Sequence, residues 1–179
     1  MKEGKVQMTV FDIWKSLKKG DIHPVYCLYG KETYLLQETV QRIRQAVVDE
    51  ETKDFNLSVF DLEEEALDLA VEDAETFPFM GEKRLVVAKN PSFLTAEKKK
   101  DKTEHNLGSL EEYIAQPAPY SVFVLLAPYE KLDERKKLTK LLKKHAQMVE
   151  AKELNGRETA DFIAGLAKSE GKLIELSLI

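Results

Sequence analysis

Gly30-Lys31 follows the apolar run at residues 25–29 and precedes a helical pattern, the place where a phosphate-binding loop sets its Gly-Lys pair. Such a loop wraps backbone N–H groups around phosphates, and a Ser or Thr after the Lys binds magnesium. Two positions fail that test. The glycine needed five residues before Gly30 is Val25, inside the apolar run, and the hydroxyl is replaced by Glu32. A carboxylate at a helix start repels a triphosphate and competes for the same donors. The acidic metal ligand expected after the run 84–88 is missing, because Lys89 and Asn90 stand there. After the run 122–127, Pro128 and Tyr129 occupy the place of a polar γ-phosphate sensor. Gly30, Lys31 and Glu32 therefore read as a degenerate loop, with Gly30 as a strand-to-helix turn and no cofactor expected.

Other catalytic groupings are weaker. His23, His105 and His145 share no face at metal-ligand spacing, and His23 before Pro24 reads as a turn residue. Glu63-Glu64-Glu65 on a helix would point three ways, the pattern of a solvated acidic face rather than an acid–base pair. No metal site and no catalytic residue is expected.

The elements that must carry these residues alternate. Short apolar runs at 25–29, 57–61, 84–88, 122–127 and, more weakly, 148–153 predict five strands. Helical spacing links Tyr34, Leu35, Leu36, Val40, Ile43 and Val47, then Leu62, Ala66, Leu69, Ala70 and Asp73. It recurs in a helix at 107–116 and in Leu132, Leu138, Leu141 and Leu142. An α/β fold follows, with a mostly parallel five-stranded sheet flanked by helices. Residues 91–106, rich in Lys, read as an exposed loop. Asn155-Gly156-Arg157-Glu158 predicts a capped helix start, with the helix ending near Gly171.

The chain has 179 residues, with 27 basic and 32 acidic side chains, so its net charge is 27 − 32 = −5. That small number hides two poles. Residues 50–75 hold eleven acids against Lys53, a sum of −10, whereas residues 131–145 hold seven bases against Asp133 and Glu134, a sum of +5. Lys136, Lys137, Lys140, Lys143 and Lys144 could touch DNA phosphates, although the leucines between them already explain a core-packing helix, and Lys98-Lys99-Lys100 is read the same way. The lone Cys27 permits no intrachain disulfide and fits a reducing cytoplasm. The N-terminal residues lack the apolar stretch of a signal peptide, and the longest apolar run, 122–127, is too short to span a bilayer.

One loop is apolar where loops are usually polar. Phe77-Pro78-Phe79-Met80 lies between Thr76 and Gly81, with Pro78 blocking helix continuation and Gly81 supplying a turn. The residues alone favour a cluster tucked into the core over an anchor offered to a partner.

Residues 24–36, Pro24-Val25-Tyr26-Cys27-Leu28-Tyr29-Gly30-Lys31-Glu32-Thr33-Tyr34-Leu35-Leu36, are followed by Thr76-Phe77-Pro78-Phe79-Met80-Gly81-Glu82-Lys83-Arg84-Leu85-Val86-Val87. Together they resemble the delta-subunit family of the bacterial DNA polymerase III clamp loader, over roughly residues 10–170. The resemblance implies an AAA+-like domain at 1–152 with a degenerate nucleotide site, and the start of a helical lid domain at 153–179. A collar domain would lie beyond. It further implies that Phe77, Pro78, Phe79 and Met80 form a plug for the sliding β-clamp, with Phe79 turned outward while Phe77 stays in the core. A Pro stands at 78 where better-known members carry an aliphatic residue. The implied role is opening the clamp for loading onto primed DNA, in a replisome-associated subunit of a DNA-directed DNA polymerase that has no intrinsic activity itself. Implied partners are the clamp and the delta-prime and tau/gamma loader subunits, with DNA met indirectly and no membrane. A divergent AAA+ ATPase that uses Lys31 on phosphate, or an α/β adaptor for another protein, would share much of this pattern.

Overall fold

The computed structural model describes residues 8–96 and 103–169. Its sheet consists of β1 (Met8–Thr9), β2 (Val25–Gly30), β3 (Leu57–Asp61), β4 (Arg84–Lys89), β5 (Ser121–Ala127) and β6 (Gln147–Ala151). The order is β1-β6-β2-β5-β4-β3, and every pairing is parallel. The helices are α1 (Val10–Lys18), α2 (Thr33–Val47), α3 (Lys53–Asn56), α4 (Leu67–Ala74), α5 (Leu107–Ala115), α6 (Lys137–His145) and α7 (Gly156–Ser169).

The central strands are apolar at nearly every position because both faces of the sheet are covered. Cys27, Val86, Ala88, Phe123 and Leu125 point into one core, shared with α4, α5 and α6. Their neighbours Tyr26, Leu28, Leu85, Val87, Val122 and Val124 point into the other, beneath α1 and α2. Each core is thus built from alternate residues of the same strands.

Six strands form where five were expected. The extra one, β1, is a two-residue edge strand whose Thr9 also caps α1: its Oγ1 accepts from Asp12 N–H (3.3 Å), and Asp12 Oδ2 accepts from Thr9 N–H (3.3 Å). The acidic triplet is not helical. Asp61 Oδ1 accepts from Glu63 N–H, and Glu65 Oε2 accepts from Asp61 N–H, so residues 62–65 form a turn before α4. The buried stripe of α4 is Leu67, Ala70, Val71 and Ala74, which leaves Leu69 half exposed. His105 Nδ1 caps this helix by accepting from Leu67 N–H (3.0 Å).

The stretch expected as a loop at 91–106 is partly core: Leu94 is fully buried and its carbonyl accepts from Asp133 N–H (2.7 Å). Lys98-Lys99-Lys100 lies outside the described residues. The last helix starts as expected, with Asn155 and Glu158 bonded reciprocally. Gly171, where that helix was expected to end, also lies outside the described residues.

Trp14, the chain's one tryptophan, joins three helices. Its Nε1–H donates to the buried Thr39 hydroxyl (2.9 Å), Arg42 lies 4.0 Å above its ring, and Phe162 of α7 meets it at 5.8 Å. Phe162 also contacts Phe11 and Tyr34. Phe162→Ala should therefore release α7 at a cost on the order of 1 kcal/mol, the value of an aromatic contact with partial burial. Tryptophan emission should shift to the red; an unchanged spectrum would mean that Phe162 does not hold α7 in place.

Candidate functional site

Two regions carry the residues singled out in the sequence, and they lie at opposite ends of the sheet. The Gly30 loop follows the C-terminal end of β2, whereas residues 75–83 enter the N-terminal end of β4. Because β2 to β6 run parallel and are five to seven residues long, roughly 20 Å separates the two ends.

At the Gly30 end, two of the loop's backbone N–H groups already have acceptors. Gly30 N–H donates to Tyr129 C=O (2.9 Å), and Glu32 N–H donates to Ala151 C=O (3.4 Å). Lys31 extends along the surface towards Glu130, 3.5 Å away. Gly30 has φ +132°, and a Cβ there would lie 2.3 Å from the Ala151 carbonyl oxygen. The glycine is thus required by the close approach of β6. Asn90, standing where a metal-binding acid was sought, has φ +59° and donates to Asp61 Oδ1 (3.1 Å). That bond, with Glu63 N–H on the same oxygen, holds the Asp61 carboxyl below the usual carboxylate range.

At the other end, α4 stops after Ala74 and the chain projects outward. The Thr76 hydroxyl donates back to Glu72 C=O (3.0 Å), and Tyr120 O–H, just before β5, donates to Glu75 C=O (2.6 Å). Phe77 is 74% exposed, Phe79 51% and Met80 80%, with Pro78 half-buried between them. Phe77 is therefore not a core residue. Its ring lies against Tyr120 with centroids 4.5 Å apart, because the helix end and Pro78 carry it past the edge of the hydrophobic layer. The left-handed turn falls on Met80 (φ +50°) rather than on Gly81.

A feature not evident in the sequence supports this loop. Asn56, the fully buried last residue of α3, donates from Nδ2 to Phe79 C=O (2.8 Å) and accepts Phe79 N–H at Oδ1 (2.7 Å). Beside it Phe55, 59% exposed, sets its ring 5.0 Å from that of Phe79. Phe55, Phe77, Phe79 and Met80 together form an exposed apolar patch of the kind that marks a protein-binding surface. Nothing in the types of Phe55 or Asn56 signals this, since their shared partner Phe79 is remote in the chain, 23 residues from Asn56, which meets it through main-chain atoms.

The basic residues lie apart from both regions. Helix α6 begins at Lys137 rather than near 131, because Asp133 folds back on the Arg135 N–H and guanidinium. Lys136 donates to Phe93 C=O (2.7 Å), Lys137 pairs with Glu111 (3.0 Å), and Lys143 pairs with Glu134. Lys140 and Lys144, one turn apart, make no ion pair among the described residues.

A family model described as DNA polymerase III, delta subunit, matches residues 26–152. The DNA polymerase III subunit delta of Bacillus subtilis (strain 168) is 78% identical over 165 residues, which make up 92% of this chain and 48% of that protein. The solved structure of the Bacillus subtilis DNA clamp loader delta protein superposes with a TM-score of 0.84 at 76% identity, over 94% of this chain and 50% of that one. A Thermotoga maritima DNA polymerase III gamma subunit-related protein gives a TM-score of 0.54 at 12% identity, over 90% of this chain and 52% of that one. This last likeness concerns the fold alone, a parallel sheet flanked by helices. The chain spans about half the length of the relatives it matches. Since the family match runs from β2 through β6 and includes the apolar loop, the chain belongs to the DNA polymerase III delta-subunit family.

Proposed function

We propose that this chain is the clamp-engaging part of a clamp-loader delta subunit: Phe77, Pro78, Phe79 and Met80 dock on the sliding β-clamp, and the rigid domain levers a ring interface open. The observation that carries this reading is the apolar patch exposed on a loop whose backbone is fixed from beneath by Asn56. Residues 1–152 are read as the docking and lever unit, and 153–179 as the opening of a helical lid domain. ATP hydrolysis is assigned to other loader subunits, a reading supported by the carbonyl acceptors on Gly30 and Glu32 N–H. Delta-prime and tau/gamma subunits would be the neighbours within a cytoplasmic, replisome-bound assembly. DNA is met chiefly through the ring, with Lys140 and Lys144 as the residual candidates for direct phosphate contact.

Each apolar side chain buried on docking contributes roughly 1.5–3 kcal/mol, so Phe79→Ala should weaken clamp binding about 10- to 100-fold. Half-exposed in the free protein, Phe79 contributes little to its fold, and the melting temperature should hold. A titration of full-length protein against the clamp, with native loop and variant side by side, decides the matter. Unchanged binding accompanied by lost stability would make Phe79 a core residue instead.

A further inference from the structure

We infer that Asn56 is the positioning residue of the docking loop, holding Phe79 in its bound conformation before the partner arrives; this rests on the docking role proposed above. The loop cannot hold itself by packing, because Phe77, Phe79 and Met80 are all exposed. Its shape depends on hydrogen bonds. The Asn56 amide makes the same pair of bonds to Phe79 that a residue on a neighbouring strand would make, and Asn56 adjoins Leu57, the first residue of β3. The sheet is thereby linked to the docking side chain through one buried amide.

Gly81 completes the arrangement. A Cβ at this position would sit 3.0 Å from Asn56 Nδ2, tighter than an ordinary contact, so glycine lets the amide lie against the loop without being pushed aside. Met80, in the left-handed region, turns the chain back between these two contacts. Phe55 is carried by the same short helix and lies beside the Phe79 ring, so α3 sets both the backbone and one wall of the apolar surface.

A residue that preorganises acts on binding differently from one that touches the partner. When the competent conformer is populated only fractionally, the apparent affinity falls by that fraction, and the loss appears in the association rate. Loss of a direct contact appears in the dissociation rate. Asn56→Asp is the informative variant: it is isosteric, keeps an acceptor for Phe79 N–H, and turns the donor facing Phe79 C=O into an oxygen.

The experiment measures association and dissociation rates of the full-length protein on immobilised sliding clamp for wild type, Asn56→Asp, Gly81→Ala and Phe79→Ala. Asn56→Asp should lower the association rate about tenfold with the dissociation rate unchanged, whereas Phe79→Ala should raise the dissociation rate. In the Phe79→Ala background, Asn56→Asp should have little further effect, because the ring it positions is gone. Gly81→Ala displaces the same amide from the other side and carries the test if Asn56→Asp fails to fold. A wild-type association rate in Asn56→Asp, with Phe79→Ala still impaired, overturns the positioning role alone. A change confined to dissociation overturns it too, by making Asn56 a contact residue. Wild-type binding by Phe79→Ala instead removes the docking reading itself.

Discussion

Gly30→Ala should cost roughly 3–5 kcal/mol of folding stability, the sum of backbone strain and overpacking. The backbone at φ +132° is one that side-chain-bearing residues rarely adopt, and the added methyl would lie 2.3 Å from the oxygen and 2.8 Å from the carbon and nitrogen of Ala151. Those are main-chain atoms of the neighbouring strand, paired with Gly30 in register, so no side chain can swing aside. Relief requires β2 and β6 to separate in the interior of the sheet, where Leu28 and Val149 are fully buried. Cys27 provides a clean reporter. Its thiol is buried on β2, and burial pushes its pKa up to about 12, so the native protein should resist alkylation and label only on unfolding. A loss of 3–5 kcal/mol raises the unfolded fraction by roughly two to four powers of ten, and the labelling rate with it when opening is at equilibrium. An unchanged urea midpoint and labelling rate would show that β6 yields at no cost. The expected loss explains Gly30 by the close approach of a strand residue 121 positions away.

Residues 25–29, 84–88 and 122–127 were legible as strands because covering both sheet faces leaves an unbroken apolar run, a purely local signal. Helix α1 carries a local signal of the same kind, with Val10, Ile13, Trp14 and Leu17 on one helical face. Strand β1 is different. Two residues carry no periodicity, and its existence depends on Val149 and Glu150 of β6.

Val25 and Glu32 are the residue types that break the phosphate-loop pattern around Gly30. Residue types do not say which acceptors the N–H groups of Gly30 and Glu32 meet, since Tyr129 and Ala151 are remote in the chain. The docking loop divides in the same way. Its apolar composition is plain, but apolar character does not say whether a side chain faces inward: Phe77, expected in the core, lies on the surface against Tyr120. Asn56 was invisible for a further reason: a polar residue before a strand is unremarkable until its two main-chain partners are located.

Arg84→Met should destabilise the fold by about 3 kcal/mol, the low end of the range for breaking a buried ion pair. Arg84 is 7% exposed and donates from Nη1 to Asp73 Oδ2 at 3.0 Å, joining the start of β4 to the last turn of α4. Methionine preserves most of the volume, so the loss comes from stranding the Asp73 carboxylate, whose side chain keeps 25% of its surface in water and is solvated only in part. Adding Asp73→Asn to Arg84→Met should return a good part of that stability, because the uncompensated charge is gone; purely additive losses in the cycle would mean that the pair contributes packing alone. Docking should respond far less than stability. The end of α4 is held twice more, by Ser121 O–H donating to Ala74 C=O (2.5 Å) and by Tyr120 O–H on Glu75 C=O (2.6 Å), so the exit of the loop remains fixed while the domain stays folded. Clamp affinity of Arg84→Met measured well below its melting temperature should therefore stay within a few-fold of wild type, whereas an affinity loss approaching that of Phe79→Ala would mean that the ion pair also sets the aim of the loop.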